Sequence, residues 1–179
     1  MNRIVALFLL IILGPFFLII AVLIKCDSRG PVFFKQKRLG LKEKGFLIFK
    51  FRTLYVGAPI CSGKERDLVI NKYITPLGKW LRKRKFDEFP QLFNIVKGQM
   101  NFIGPRPLLE SAHGSIIGMR KKFNIYEVKP GLTGLVALLN IHDDKVSQMA
   151  ICDRCYIKHK SLRLDIKIIF LTIQQVLRF

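Results

Sequence analysis

The sequence predicts a helix-rich α/β protein attached to a membrane, and three features carry that expectation. An uncharged apolar run opens the chain, two aromatic, β-prone runs follow it, and helical spacing recurs towards the C-terminus. Half of the 179 residues are hydrophobic, yet Lys and Arg outnumber Asp and Glu by 31 to 12, leaving a formal charge of +19. Soluble enzymes rarely combine the two. A membrane protein with a basic face towards anionic headgroups does so readily, each surface cation contributing about 1 kcal/mol. Nucleic-acid binding is the rival reading of a basic chain. It leaves the N-terminus unexplained, so no nucleic-acid partner is expected. The length suits one domain with its own modest core.

From Ile4 to Ile24 no residue is charged. As a helix the run is about 30 Å long, enough to cross a hydrocarbon core. No small-x-small cleavage site follows, and Lys25 precedes Cys26, so a permanent anchor over residues 1–25 is expected rather than a removed signal. Gly14-Pro15 interrupts the run, and proline removes an N–H and clashes with the preceding turn, which predicts a kink. A kinked spanning helix and a helix that enters and returns to the same face both satisfy this. Arg3 before the run, with Lys25, Arg29, Lys35, Lys37 and Arg38 after it, leans towards return, since both flanks are basic.

After the anchor, Val32–Phe34 and Phe46–Phe51 read as a hairpin with a long polar loop containing Gly40 and Gly45. Residues 55–72 read as irregular, broken by Gly57, Pro59 and Gly63. Thr75–Lys85 reads as a short basic helix, Phe86–Val96 as a further helical stretch, and Gly98–Pro107 as a turn-rich loop. At the C-terminus, Leu162, Ile166, Ile169, Phe170, Ile173, Val176 and Leu177 share one helical face. Such a face is more often core, with lying in a bilayer interface as the alternative. Cys26, Cys61, Cys152 and Cys155 are expected to be reduced thiols. The lone Cys-x-x-Cys lacks the second ligand pair that a zinc site needs.

Two adjacent acids stand inside the most basic stretch: Arg82-Lys83-Arg84-Lys85 runs into Phe86-Asp87-Glu88-Phe89-Pro90. The surrounding cations are expected to hold both carboxylates ionised. An ionised Asp is a competent nucleophile towards phosphorus, and an adjacent carboxylate can share Mg²⁺ with substrate phosphates. Spacing alone also fits a helix start with salt-bridged acids. Downstream, Gly104-Pro105-Arg106-Pro107 holds one Arg between stiffening prolines. Lys129-Pro130-Gly131-Leu132-Thr133-Gly134 offers a turn with a cation, a hydroxyl and backbone N–H groups.

Together with Asp27-Ser28-Arg29-Gly30-Pro31-Val32-Phe33-Phe34, Lys50-Phe51-Arg52-Thr53, Asn94–Gly98 and the Asp153–Tyr156 spacing, these motifs resemble the bacterial sugar transferase family, the monotopic polyprenyl-phosphate phosphoglycosyl transferases. The likeness covers nearly the whole chain. It implies a monotopic α/β fold with a re-entrant helix broken at Gly14 and Pro15. The implied catalytic domain, residues 26–179, lies with amphipathic interfacial helices on the cytoplasmic face of the bacterial inner membrane. It implies that Asp87 attacks a UDP-sugar, UMP leaves, and polyprenyl (undecaprenyl) phosphate takes the sugar phosphate from the covalent intermediate, opening glycan assembly. Glu88, with Asp87, would hold Mg²⁺. Arg82, Arg106, Lys50, Arg52, Lys129 and Thr133 would bind substrate phosphates.

The chain departs from the family pattern at three places. Gly14 replaces the serine usual before the helix-breaking proline, Lys85 stands where a small hydroxyl residue is common, and the arginine expected near Ile141 is missing, with His142 as a possible substitute cation. A non-catalytic basic membrane adaptor or an inactive relative is the alternative reading.

Overall fold

The computed structural model describes residues 2–60, 64–110, 114–141 and 145–177, without the side chains of 64–66, 114–115 and 146. Cys61, Gly63 and His142 lie outside the described residues. Helix α1 runs from Asn2 to Asp27 and carries Pro15 within it. It is long and apolar enough to cross a membrane. Ala6, Phe17, Ile20 and Ile24 are buried, while Ile4, Phe8, Ile11, Leu18 and Ile19 stand exposed around the rest of the helix. A helix apolar on every side suits lipid or a deep core, and only one stripe of this one meets protein.

The described residues fall into two compact units, one of residues 2–36 and 48–97, the other of 37–47 and 98–177. Strands β1 (Phe33–Leu39) and β2 (Gly45–Phe51) contribute residues to both. In the first unit, α2 (Lys64–Tyr73) forms where an irregular loop was expected. The breakers Gly57 and Pro59 both precede it, so nothing after them opposes a helix. Helix α3 (Pro76–Lys83) begins at Thr75, whose hydroxyl accepts from the Gly78 N–H at 2.9 Å, with Pro76 at the first helical position. Helix α3 stops where Lys85 turns left-handed (φ 54°). The chain then tightens into a 3-10 turn, Phe86–Gln91, and continues as α4 (Leu92–Val96).

Phenylalanines bind this unit together. Phe17 of α1 meets Phe51 at 5.2 Å between ring centroids, Phe33 stacks on Phe51 at 5.6 Å, and Phe93 of α4 lies edge-on to Phe17, Phe33 and Phe49. Such pairs add about 0.5–1.5 kcal/mol each beyond their buried area.

In the second unit, β4 (Leu108–Leu109) pairs antiparallel with β1, Arg38 opposite Leu109 and Leu39 opposite Leu108, extending the order β2-β1-β4. Strand β3 (Asn101–Ile103), inside the expected turn-rich loop, runs parallel to β5 (Gly131–Thr133). Helices α5 (Gly114–Lys122), α6 (Leu135–Leu138), α7 (Val146–Lys158) and α8 (Leu162–Leu177) complete it. One core cluster is Leu108, Ile116, Val136 and Met149; another is Ile103, Tyr156 and Ile168. The architecture is thus a helix-rich α/β fold with a small sheet and one long apolar N-terminal helix, as expected.

Helix α8 reverses one expectation. Leu162, Ile166, Ile169, Phe170, Ile173 and Leu177 are exposed, not core. The face that packs carries Ile168, Thr172 and Gln175 instead: Ile168 joins Ile103 and Tyr156, the Thr172 hydroxyl lies 2.8 Å from that of Thr133, and Gln175 donates to the Leu138 carbonyl. The more apolar face of the helix is thus the one that protein leaves uncovered.

Candidate active site

The left-handed Lys85 reverses the chain between α3 and the 3-10 turn, and this reversal sets Asp87 into the first unit, 8 % exposed. Three groups act on it electrostatically: Lys50 from the end of β2, Arg82 from the last turn of α3, and its neighbour Glu88. Lys50 Nζ binds Glu88 Oε1 at 2.5 Å, so the lysine serves both acids. Arg82 is held by a 2.7 Å bond from its Nε to the Thr53 hydroxyl. The structure thus gathers Lys50, Arg82, Asp87 and Glu88.

Lys50 and Arg82 favour the ionised form of Asp87, as expected, and burial opposes them. Burial raises its carboxyl more than Lys50 and Arg82 lower it, with Glu88 adding to the rise, and the group is pushed up to about 6. It is still mostly ionised at neutral pH. The sequence displayed the cations but not the burial, which comes from residues far apart in the chain.

Mg²⁺ commonly takes one or two protein carboxylates and completes its shell with phosphate oxygens and water. Asp87 and Glu88 supply that donor set. Among the described residues no group of three or more His, Cys, Asp or Glu makes a ready cage. The residues therefore fit a cation shared with substrate, not one enclosed by protein.

Arg52, expected to bind substrate phosphate, is placed at the end of α1. Its guanidinium donates to the carbonyls of Arg29, Ser28 (2.7 Å) and Ile24 (3.3 Å), capping the end of α1. Only 6 % of it is exposed, and these bonds fasten the end of the helix.

Arg106, Lys129 and Thr133 belong to the second unit, where the two glycine-containing turns meet. Gly104 N–H donates to the Thr133 carbonyl at 3.0 Å, and Gly131 N–H to the Pro105 carbonyl at 2.9 Å. A Cβ on Gly131 would lie 2.1 Å from the Gly104 nitrogen, so only glycine permits this approach. Thr133 is 2.8 Å from the Thr172 hydroxyl, which itself donates to Ile168; the Thr133 proton therefore points at Thr172. Ile141, standing where an arginine was expected, packs against the Leu108–Met149 cluster.

Sequence reasoning missed Arg120, which reads as one more solvated cation in Met119-Arg120-Lys121-Lys122 but is 2 % exposed and paired with Asp153. No local signal marks it. It also missed Asn94, fully buried, whose Oδ1 accepts from the Phe49 N–H at 3.1 Å.

Comparison with known proteins places the chain in a family. The family model described as "Bacterial sugar transferase" matches residues 1–179. The chain is 36% identical over 176 residues to the undecaprenyl-phosphate glucose phosphotransferase of Komagataeibacter xylinus, covering 93% of this chain and 33% of that protein. It is 35% identical over 181 residues to the UDP-glucose:undecaprenyl-phosphate glucose-1-phosphate transferase of Klebsiella pneumoniae, covering 96% and 38%. The exopolysaccharide production protein PSS of Rhizobium leguminosarum bv. phaseoli is 34% identical over 180 residues, covering 92% and 86%. The chain thus spans between a third and two fifths of the first two relatives and most of the third. The whole-length match to the family model establishes that this chain belongs to the bacterial sugar transferase family.

Proposed function

We propose that this protein transfers a sugar 1-phosphate from a UDP-sugar to polyprenyl phosphate at the cytoplasmic face of a bacterial inner membrane, as a first membrane step of glycan assembly. The observation that carries the reading is Asp87, buried beside Lys50 and Arg82 and next to Glu88. The family membership and the names of the relatives support the substrate classes.

In the first step an Asp87 carboxylate oxygen attacks the β-phosphorus. The bond from that phosphorus to the bridging anhydride oxygen breaks, and UMP departs with the oxygen. In the second step a phosphate oxygen of the polyprenyl acceptor attacks the same phosphorus and displaces the carboxylate, giving a lipid-linked diphosphate. Splitting the transfer in two lets a water-soluble donor and a lipid acceptor use one nucleophile in turn. Lys50 and Arg82 stabilise the anionic phosphate as charge spreads over its oxygens. Glu88 with Asp87 would hold Mg²⁺ together with the donor phosphates, and the cation would supply charge neutralisation for the phosphate of the departing UMP. Arg106 and Lys129 are the phosphate-binding cations proposed for the second unit. Arg52 keeps its structural task at the end of α1.

Release of UMP from a panel of UDP-sugars, with Mg²⁺ and undecaprenyl phosphate, tests the reading. Release by the wild type and none above background by Asp87→Asn is the expected result. No release from any donor, with binding to anionic vesicles intact or stronger in Asp87→Asn, would identify a basic membrane adaptor or an inactive relative instead.

A further inference from the structure

The second unit buries a charged pair that the proposed chemistry leaves unused. Arg120 on α5 and Asp153 on α7 are both 2 % exposed, and Arg120 Nη2 donates to Asp153 Oδ2. Replacing such a pair by apolar residues of similar volume is often neutral or stabilising, so its presence is no aid to stability by default. The pair does something that an apolar core could not. Arg120 Nη1 donates to the Arg106 carbonyl at 2.9 Å, and the Arg106 N–H donates to the Asp153 carboxylate. Both backbone polar groups of one residue are therefore gripped by a single ion pair.

That residue is already constrained on either side. Pro105 fixes its own φ, and Pro107 keeps Arg106 out of the helical region. The N–H and C=O bonds then fix φ and ψ of Arg106 itself, which sets the direction in which its side chain leaves the backbone. The ring of Tyr126, 5.6 Å from the Arg120 guanidinium, packs beside the cation and limits its movement.

We infer that Arg120 and Asp153 are positioning residues that aim Arg106 at a phosphate of the donor. The inference rests on the proposed function, since it takes Arg106 as a donor-phosphate ligand. A positioning role predicts dependence on Arg106, whereas a purely structural role does not. The test is a double-mutant cycle in detergent-purified full chain, reading steady-state UMP release with the best UDP-sugar, Mg²⁺ and saturating undecaprenyl phosphate, alongside the thermal midpoint of each variant.

Arg106→Ala, Asp153→Asn and Arg120→Lys should each raise KM for the donor about tenfold, with kcat changed far less, because the lost contact serves binding. Asp153→Asn placed in the Arg106→Ala background should add less than about twofold, as expected for residues acting through one another. Arg120→Lys keeps a charge facing Asp153 but cannot also reach the Arg106 carbonyl, and it replaces Asp153→Asn in the cycle where that variant fails to fold. The same KM factor in both backgrounds, or a lowered midpoint with unchanged KM, overturns the inference. So does an unchanged KM in Arg106→Ala from an active wild type, which leaves the proposed function standing. A wild type that releases no UMP from any donor overturns both.

Discussion

Asp87 meets two opposing demands: it must be buried to be held against phosphorus, and it must be ionised to attack. Burial raises its carboxyl, and Lys50 and Arg82 limit the rise to about 6. The pH dependence follows directly. The rate constant kcat/KM for the donor should climb from pH 5 to 7, with a limb near 6, and level off above, as Asp87 loses its proton. Lys50→Gln removes one of the two restraining cations, so the limb should move to higher pH while the plateau falls. A limb that stays in place in Lys50→Gln would remove Lys50 from the electrostatics of Asp87. Stability runs in the opposite direction. The folded carboxyl holds its proton more tightly than the unfolded one (3.8 against about 6), so the folded state binds more protons in that interval and its stability falls as pH rises through it. At this scale the sequence was informative about identity and poor about environment. Adjacent acids in a basic run are visible in one line of text, whereas the burial of Asp87, of Arg120 and of Asn94 comes from partners tens of residues away.

Helix α3 connects the site to the rest of the first unit, and one glycine sets its distance. A Cβ on Gly78 would lie 2.1 Å from the Thr53 carbonyl oxygen, a backbone atom that cannot swing aside. Thr75 N–H bonds that same carbonyl at 3.1 Å, and the Thr53 hydroxyl holds Arg82. Gly78→Ala should therefore push α3 away, costing about 2 kcal/mol against a helix-propensity gain of about 1 kcal/mol, and should raise donor KM through Arg82. Gly14→Ala is the matched control, for nothing lies within 4 Å of a Cβ there, and its thermal midpoint should hold or rise. Equal midpoints for the two variants would refute the close approach. Elements with strong local cues were legible: the apolar helix, the Thr75-Pro76 helix start and the aromatic strands. Helix α2 was hidden by breakers that end just before it. The outward face of α8 was misassigned because periodicity reports that a face is apolar without saying what covers it.

The two ends of α1 decide what kind of membrane protein this can be. Arg3 near its start donates from Nε to the Val96 carbonyl at 2.7 Å, at the end of α4. Near its end, Asp27 accepts from the Leu77 N–H at 3.4 Å, and Arg52 binds the Ile24, Ser28 and Arg29 carbonyls. Val96 and Leu77 are parts of one compact unit, so both ends of the apolar helix are fastened to it. Were α1 to cross a bilayer, those attachment points would face opposite sides. Lys79, Arg82, Lys83, Arg84 and Lys85, between them in sequence, would then be drawn into hydrocarbon at about 2.5–3.5 kcal/mol for each such cation. The proposed re-entrant arrangement, with both ends of α1 on one face, would avoid this cost and leave the cations with the headgroups. In a background with Cys26, Cys61, Cys152 and Cys155 replaced by serine, single cysteines at positions 2 and 72 should behave alike. Neither should react with a membrane-impermeant maleimide added to intact spheroplasts, and both should react in inverted vesicles. A cysteine at position 2 that labels from outside while position 72 does not would make α1 a spanning helix. That result would require the Arg3–Val96 bond to be absent in the membrane, and it would leave Asp87 and its two cations untouched.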